Sequence, residues 1–171
     1  MKKLLDKIKS VIMYMSLRKK IFWVLALIWM IIIFSLSGQK GEESAGLSHD
    51  ICRVIGFVTQ YDFDKWTEDA QERYIEKLQY PVRKAAHFTE YMMLAGLLTG
   101  AWYDENKKRL SGFAVPALIG IIYAATDEFH QTFISGRGGM VKDVMIDSCG
   151  VIAGVLIMSG ILRLIIKYLN D

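Results

Sequence analysis

A cluster of ionisable and amide side chains interrupts an apolar part of the sequence near residue 130. Asp127, Glu128, His130 and Gln131 follow a segment, residues 110–125, that is almost free of charge. Ionisable groups are costly in lipid and normally face a bundle interior, a partner or a water-filled site. A carboxylate that orients an imidazole is suited to acid–base chemistry. The cluster therefore indicates a functional site, and other segments must supply its partners.

The composition is that of a membrane protein. Of 171 residues, 53% are hydrophobic, and the charged residues are segregated between long uncharged runs. The net charge of +3 is uninformative, and no interleaving of aromatic and basic residues indicates nucleic-acid binding. Cys52 and Cys149 have no spacing that predicts a disulfide or a zinc site. We therefore predict one all-α domain, residues 1–171, embedded in the lipid bilayer, without nucleic acid as a partner.

Four apolar runs are long enough to cross a bilayer once flanking residues are counted. Before the first run, residues 1–20 alternate apolar and lysine positions at helical spacing, which predicts a basic amphipathic helix on the membrane surface. A cleaved secretory signal ending near residues 35–37 is the alternative, but the segment before the apolar run is longer than a signal's basic region. We predict a four-helix transmembrane bundle with spans at residues 21–37, 86–103, 110–133 and 144–169.

Basic residues predict the orientation of the bundle. Dense basic segments at residues 2–20 and 107–109, together with Arg163 and Lys167, fall on one side if the spans alternate. The positive-inside rule assigns that side to the cytoplasm. Both termini are thus predicted to be cytoplasmic, with the polar cluster at the outer face.

Residues 39–84 form a long predicted extracytoplasmic insertion that is helical in part. Apolar residues at 47, 51, 54, 55 and 58 share one helix face, and residues 66, 70, 74 and 78 share another. Two helices at the membrane interface, with tryptophan and tyrosine as anchors, are one interpretation. A lid over a site is the other.

The predicted topology brings polar groups from three spans to one depth. Two helix amino ends and a glycine-rich loop at residues 135–139 should join the basic side chains there, and such a group suits a phosphate or carboxylate ligand. Candidate catalytic residues for acid–base chemistry are His87, Glu90, Asp127 and His130. Candidate binding residues are Arg83, Lys84, Tyr91, Glu128, Gln131, Arg137, Asp143 and Asp147.

Two weaker interpretations of these residues remain open. Polar side chains between spans can serve only as interhelical hydrogen bonds. A metal ion is also conceivable, but no metal-binding spacing is present, so we predict neither a metal nor a cofactor. The potential ligands would be His87, Glu90, Asp127, His130, Asp143 and Asp147.

A stripe of small residues continues from the acidic residues of the last span. Asp143 and Asp147 are four residues apart, and Gly150 and Gly154 extend the same helix face. Small residues let membrane helices approach closely. We predict a close helix crossing there.

Several segments together resemble the VanZ-like family. They are RKAAHFTEY at residues 83–91, DEFHQTF at 127–133, the Gly136–Arg137 pair, and Asp143 with Asp147 before the two glycines. Residues 34–39 are similar to the end of that family's first span, which adds Gln39 to the binding candidates. The resemblance covers about residues 21–160.

This resemblance implies a small multi-pass protein of the bacterial cell membrane. The namesake of the family is associated with resistance to the glycopeptide teicoplanin. Two function classes remain open: a protein that binds an anionic envelope lipid or lipid-linked cell-wall precursor, and an enzyme that acts on such a head group.

Overall fold

The computed structural model describes residues 2–104 and 109–170, and this part of the chain is helical throughout, without a β-strand. The all-α prediction is confirmed. Residues 107 and 108 of the predicted basic segment lie outside the described residues. Five α-helices follow one another, with a 3-10 turn at Phe63–Lys65: α1 Lys2–Ser37, α2 Gly41–Thr59, α3 Glu68–Trp102, α4 Arg109–Gln131 and α5 Val141–Asn170.

Three of the described helices contain stretches long and apolar enough to cross a membrane. These stretches are Leu17–Ser37, Ser111–Gln131 and Val141–Leu169. The carboxyl-terminal half of α3, where we predicted another span, is not among them. This half carries His87 and Glu90, and much of it is buried between the other helices. A helix shielded by its neighbours needs less hydropathy than one that faces lipid.

Helices α3 and α5 run side by side in the same direction and form the closest contact in the bundle. A Cβ atom added to Gly150 would lie 2.3 Å from the carbonyl oxygen of Phe88, and one added to Gly154 would lie 2.1 Å from that of Met92. Only glycine allows two helix backbones to approach this closely. The predicted small-residue crossing is confirmed.

Helix α1 runs antiparallel to α3 and is held at several points. The indole of Trp29 donates to the carbonyl oxygen of Glu90 at 3.0 Å, and Arg18 donates to that of Tyr103 at 2.7 Å. The Tyr123 hydroxyl of α4 donates to the carbonyl oxygen of Met30. The core between these helices is apolar and is formed by Ala26, Ile33, Tyr91, Leu94, Ala95, Leu98, Ala124, Val151 and Val155.

Helix α1 is continuous where we predicted a surface helix followed by a separate span. Its backbone remains helical from Lys2 through Lys20 to Ser37. No glycine or proline occurs in this segment, so nothing in the sequence breaks the helix. The side chains of residues 2–16 are not described, and the amphipathic surface helix stays a prediction.

Helix α3 is also longer than predicted. It begins after Thr67, whose side chain accepts a hydrogen bond from the Ala70 backbone, and it passes through Pro81 without ending. The predicted start of a helix near residue 86 is therefore wrong. Proline in a helix interior removes one backbone donor and crowds the carbonyl of the residue four positions earlier, yet the backbone stays helical on both sides of Pro81.

The first half of α3 packs against α2, and together these form what we call the arm, residues 41–82. Its small core contains Cys52, Phe63 and Ile75, with Trp66, Tyr74, Leu78 and Val82 packed around it. The predicted helices in this insertion are present. Both cysteines of the chain are free thiols, Cys52 buried and Cys149 exposed.

Helix α2 uses an unexpected face for this packing. Its buried residues are small: Ser48, Cys52 and Gly56. The predicted apolar face points outward instead, with Leu47 54% exposed and Val58 80% exposed.

Candidate functional site

A cavity of about 110 Å³ lies where the end of α1, the amino-terminal half of α2, the middle of α3 and the end of α4 meet. Helices α1 and α4 point toward this end of the bundle, and α3 and α5 point away from it. Antiparallel packing therefore brings together residues far apart in sequence. Six predicted site residues line the cavity: Gln39, Arg83, His87, Glu90, Asp127 and Arg137.

Two arginines face the cavity. Arg137, in the α4–α5 loop, donates to the Leu36 carbonyl oxygen at 3.3 Å, while its buried Nε lacks a partner among the described residues. Arg83 makes no hydrogen bond or ion pair with any described residue. Burial, and next the positive charge of Arg83, lower the pKa of Arg137. The two guanidinium groups are thus close enough to disfavour each other, and an anion between them would relieve this repulsion.

Asp127 forms the inner wall of the cavity and is 4% exposed. Its Oδ2 accepts a hydrogen bond from Gln131 at 3.1 Å, and its Oδ1 has no partner among the described residues. The fully buried Tyr91 lies next to it. A buried carboxylate with an open acceptor position is costly unless a ligand or a proton completes it.

Asp147 and His87 form a second pair behind the cavity. Asp147 is fully buried, and neither of its carboxylate oxygens has a hydrogen-bond partner among the described residues. Its Oδ1 lies 4.0 Å from Nδ1 of His87, which also lines the cavity. This distance is beyond a hydrogen bond, so the carboxylate lies beside the imidazole without bonding to it.

Two other acidic residues, Glu128 and Asp143, have local partners. Glu128 is 3% exposed, and its Oε2 accepts a hydrogen bond from the Met140 backbone at 3.0 Å. Lys84 pairs with Asp143 at 2.6 Å. Glu128 thus holds the α4–α5 loop, and the lysine pair joins α3 to the first turn of α5.

His130 is separate from the cavity. Its ring stacks on Phe34 of α1, with centroids 4.5 Å apart. We predicted it beside His87 as an alternative acid or base, but it does not line the cavity. Asp127, His130 and Gln131 share one face of α4. Because α1 crosses α4 beside His130, the histidine ring stacks on α1.

One predicted anion-binding feature is absent from this end of the described bundle, and the backbone donors of another are bonded to other residues. Since α3 is continuous through Arg83, no helix amino end exists there, and that part of the prediction is wrong. In the α4–α5 loop, the Arg137 and Met140 backbone donors bond to Ile134 and Glu128. The loop contributes to the cavity through the Arg137 side chain.

The predicted site residues included none from α2, although a lid over a site was one interpretation of this insertion. Ser44, Leu47, Ser48 and Ile51 line the cavity. The helix is held there because the Gly41 backbone donates to the Ser135 carbonyl oxygen at 3.0 Å. The regular spacing of Ser48, Cys52 and Gly56 was the available signal, since a small-residue stripe marks a packing face.

No group of three or more histidine, cysteine, aspartate or glutamate side chains within the described ranges could hold a metal ion. The acidic residues are spread over several helices and face different neighbours. The arrangement is instead a cavity lined by two arginines together with partly unsatisfied carboxylates, which suits anion binding or proton transfer.

These features define a helical protein of the membrane type, with apolar candidate spans around a polar cavity. The model of the VanZ/LLP1 family matches residues 22–165, and the chain belongs to this family. The resemblance stated from the sequence motifs is thereby confirmed. No curated protein and no solved structure matches the chain.

Proposed function

We propose that this protein is a multi-pass protein of the bacterial cell membrane that binds the anionic head group of an envelope lipid or lipid-linked precursor. The observation that carries the proposal is the pair of arginines facing one cavity, of which Arg83 lacks any partner among the described residues. An arginine pair binds phosphate or carboxylate groups through several parallel hydrogen bonds.

The proposed orientation has four spans, both termini in the cytoplasm and the cavity at the extracytoplasmic face. The helix directions support it, because α1 and α4 run opposite to α3 and α5. Arg18, Lys19 and Arg163 lie at the end away from the cavity. This is the end that the positive-inside rule assigns to the cytoplasm.

Helix α3 is long enough for both a span and part of the arm. Its 35 residues extend over roughly 52 Å, at about 1.5 Å per residue. A hydrocarbon core is about 30 Å thick. The amino-terminal half of α3 would then project outside the membrane together with α2, so the arm would stand over the cavity.

A role in tolerance to glycopeptides such as teicoplanin follows from this proposal. A protein that holds an anionic envelope lipid at the outer face changes how much of that lipid or precursor is available there. Lipid binding and the antibiotic phenotype should therefore be lost together in a variant that lacks the arginine pair.

The test compares the lipids that remain bound to purified wild type, Arg83→Ala and Arg73→Ala. Arg73 is the matched control because it is exposed on the same helix and does not line the cavity. Mass spectrometry should detect an anionic lipid with wild type and Arg73→Ala, and at least tenfold less with Arg83→Ala. Equal lipid in all three proteins contradicts the proposal.

A second candidate function is acid–base catalysis on the bound head group. The observation that favours it is the position of Asp147 at 4.0 Å from His87 at the edge of the cavity. In this case His87→Gln should retain the lipid but lose conversion of it, as measured by the head-group products of a purified lipid mixture. Identical products with wild type, the variant and no protein would exclude the enzyme.

A further inference from the structure

The lining of the cavity is apolar in part. Its charged and ionisable residues are Arg83, His87, Glu90, Asp127 and Arg137. Hydrocarbon side chains also line it, next to Ser37, Gln39, Ser44 and Ser48: Ile33 and Leu36 of α1, Leu47 and Ile51 of α2, and Val82 of α3. Contacts with these hydrocarbon side chains would not stabilise a small hydrophilic anion.

The apolar part of the lining continues out of the cavity along α2. Leu47 and Ile51 line the cavity and are nevertheless 54% and 44% exposed. Val54 and Val58, on the same helix face, are 61% and 80% exposed. Side chains that belong both to a cavity and to an exposed apolar strip form the mouth of that cavity.

The mouth lies between α1 and α2. These helices are joined by the short turn at residues 38–40, and each packs mainly on α3 and not on the other. The small residues Ser48, Cys52 and Gly56 direct α2 toward α3. This geometry leaves a seam beside the membrane-facing side of α1, whose Ile32 and Phe34 are exposed.

We infer that the hydrocarbon chain of the bound lipid lies in the seam between α1 and α2, and that α2 is the wall that selects for this chain. The inference rests on the proposed function and assigns a role to the arm. The occupant is a lipid because charge complementarity fixes its head group at the arginines, while Leu36, Leu47 and Ile51 give its chain an apolar surface at the level of the cavity. A soluble anion would leave the apolar side chains without a partner, and an uncharged hydrocarbon would leave the arginines without one.

Two soluble probes with the same head group separate the chain from the head. Butyl phosphate and octyl phosphate are titrated into the protein in phosphatidylcholine nanodiscs, and the ratio of their affinities is compared between variants. Partition of octyl phosphate into the nanodisc is the same for each variant and cancels in this comparison. Burying about two methylenes changes an affinity about tenfold, so the four additional methylenes of octyl phosphate are enough to produce a measurable ratio.

Ile51→Asn should lower the octyl-to-butyl affinity ratio about tenfold. Val58→Asn is the control, because Val58 shares the apolar face but does not line the cavity. It should leave both affinities unchanged. An unchanged ratio in Ile51→Asn overturns the chain seam, whereas undiminished binding of both probes by Arg83→Ala overturns the proposed head-group site.

A measurement on wild type avoids any dependence on the folding of the variants. An octyl phosphate with a diazirine in its chain should label peptides from α1 and α2 on irradiation, and excess unlabelled octyl phosphate should prevent the labelling. Labelling confined to α4 and α5 overturns the inference. A contact through α2 between two copies, detected by crosslinking, would also overturn it, since a second copy would then fill the seam.

Discussion

The arm and the rest of the bundle use polar residues in opposite ways. In the arm, polar groups lie outside and are paired: Glu72 contacts both His49 and Arg53, while the core is aromatic and aliphatic. In the bundle, Asp127 of α4 and Asp147 of α5 are buried and have carboxylate oxygens without partners among the described residues. The first arrangement is ordinary for a stable fold. The second is costly for folding, and this cost indicates a functional requirement.

The largest expected effect comes from removing the aromatic centre of the arm. Phe63 is 1% exposed and contacts Phe57, Trp66 and Tyr74. Phe63→Ala should destabilise the arm by about 3–5 kcal/mol. Limited proteolysis should then cut within residues 41–79, while the bundle remains intact.

Tyr61→Ala is the control for this change, because Tyr61 is 89% exposed. It should leave the cleavage pattern as in wild type. Simultaneous loss of the arm and the bundle in Phe63→Ala would contradict the separation of the two regions.

A smaller loss is expected at the crossing of α3 and α5. Gly154→Ala would place a Cβ atom 2.1 Å from the Met92 carbonyl oxygen, so the helices must move apart. We expect a loss of about 2–3 kcal/mol, measured as a lower melting temperature in detergent. The arm should keep its protease resistance.

Gly160→Ala tests whether this loss arises from the close contact. No atom lies within 4 Å of a Cβ added to Gly160, and alanine is the better helix former. Its melting temperature should equal or exceed that of wild type. Equal destabilisation by both changes would mean that the crossing does not depend on Gly154.

The smallest expected effect concerns the exposed contacts of the arm. A hydrogen bond from His49, at 2.9 Å, is the main reason that the pKa of Glu72 is lowered. A carboxylate with a lowered pKa stabilises the fold at pH values above its unfolded pKa, and this contribution is lost as the pH falls through the folded value. Exposed pairs contribute little, so only a slight decrease in arm stability is expected in acid.

Glu72→Gln should remove this pH dependence, whereas Glu76→Gln, an exposed change one turn further along the helix, should keep it. Protease resistance of the arm, measured from neutral pH down to below the ordinary pKa of glutamate, provides the readout. The same acid sensitivity in both variants would show that Glu72 is not its source.

The sequence predicted the meeting of polar groups better than it predicted the helices that carry them. The periodic positions of Arg83, His87 and Glu90, together with alternating helix directions, were sufficient to bring these residues close to Asp127. The continuity of α3 was not predictable from hydropathy, because the helix passes from a polar arm into an apolar bundle at Pro81. Local propensity sustains a helix across such a change, although composition suggests a boundary.

The directions of individual side chains also could not be predicted from the sequence. His130 has the right spacing to join Asp127, but the position of α1 makes it stack on Phe34. Likewise, the apolar strip of α2 predicts a buried face, and the small residues Ser48, Cys52 and Gly56 take that place instead. Both outcomes depend on which helix lies next to the residue, and this is decided by packing between segments distant in sequence.

The central claim is that the buried charges at the cavity form a binding or catalytic site and do not merely hold helices together. Glu90→Gln and Asp127→Asn test it most directly, since amides keep the shape and much of the hydrogen bonding but remove the charge. Complementation of envelope-antibiotic tolerance is measured together with membrane abundance and melting temperature. We predict that both variants accumulate and melt like wild type yet lose tolerance. Retained tolerance in both would contradict the claim and leave only a structural network.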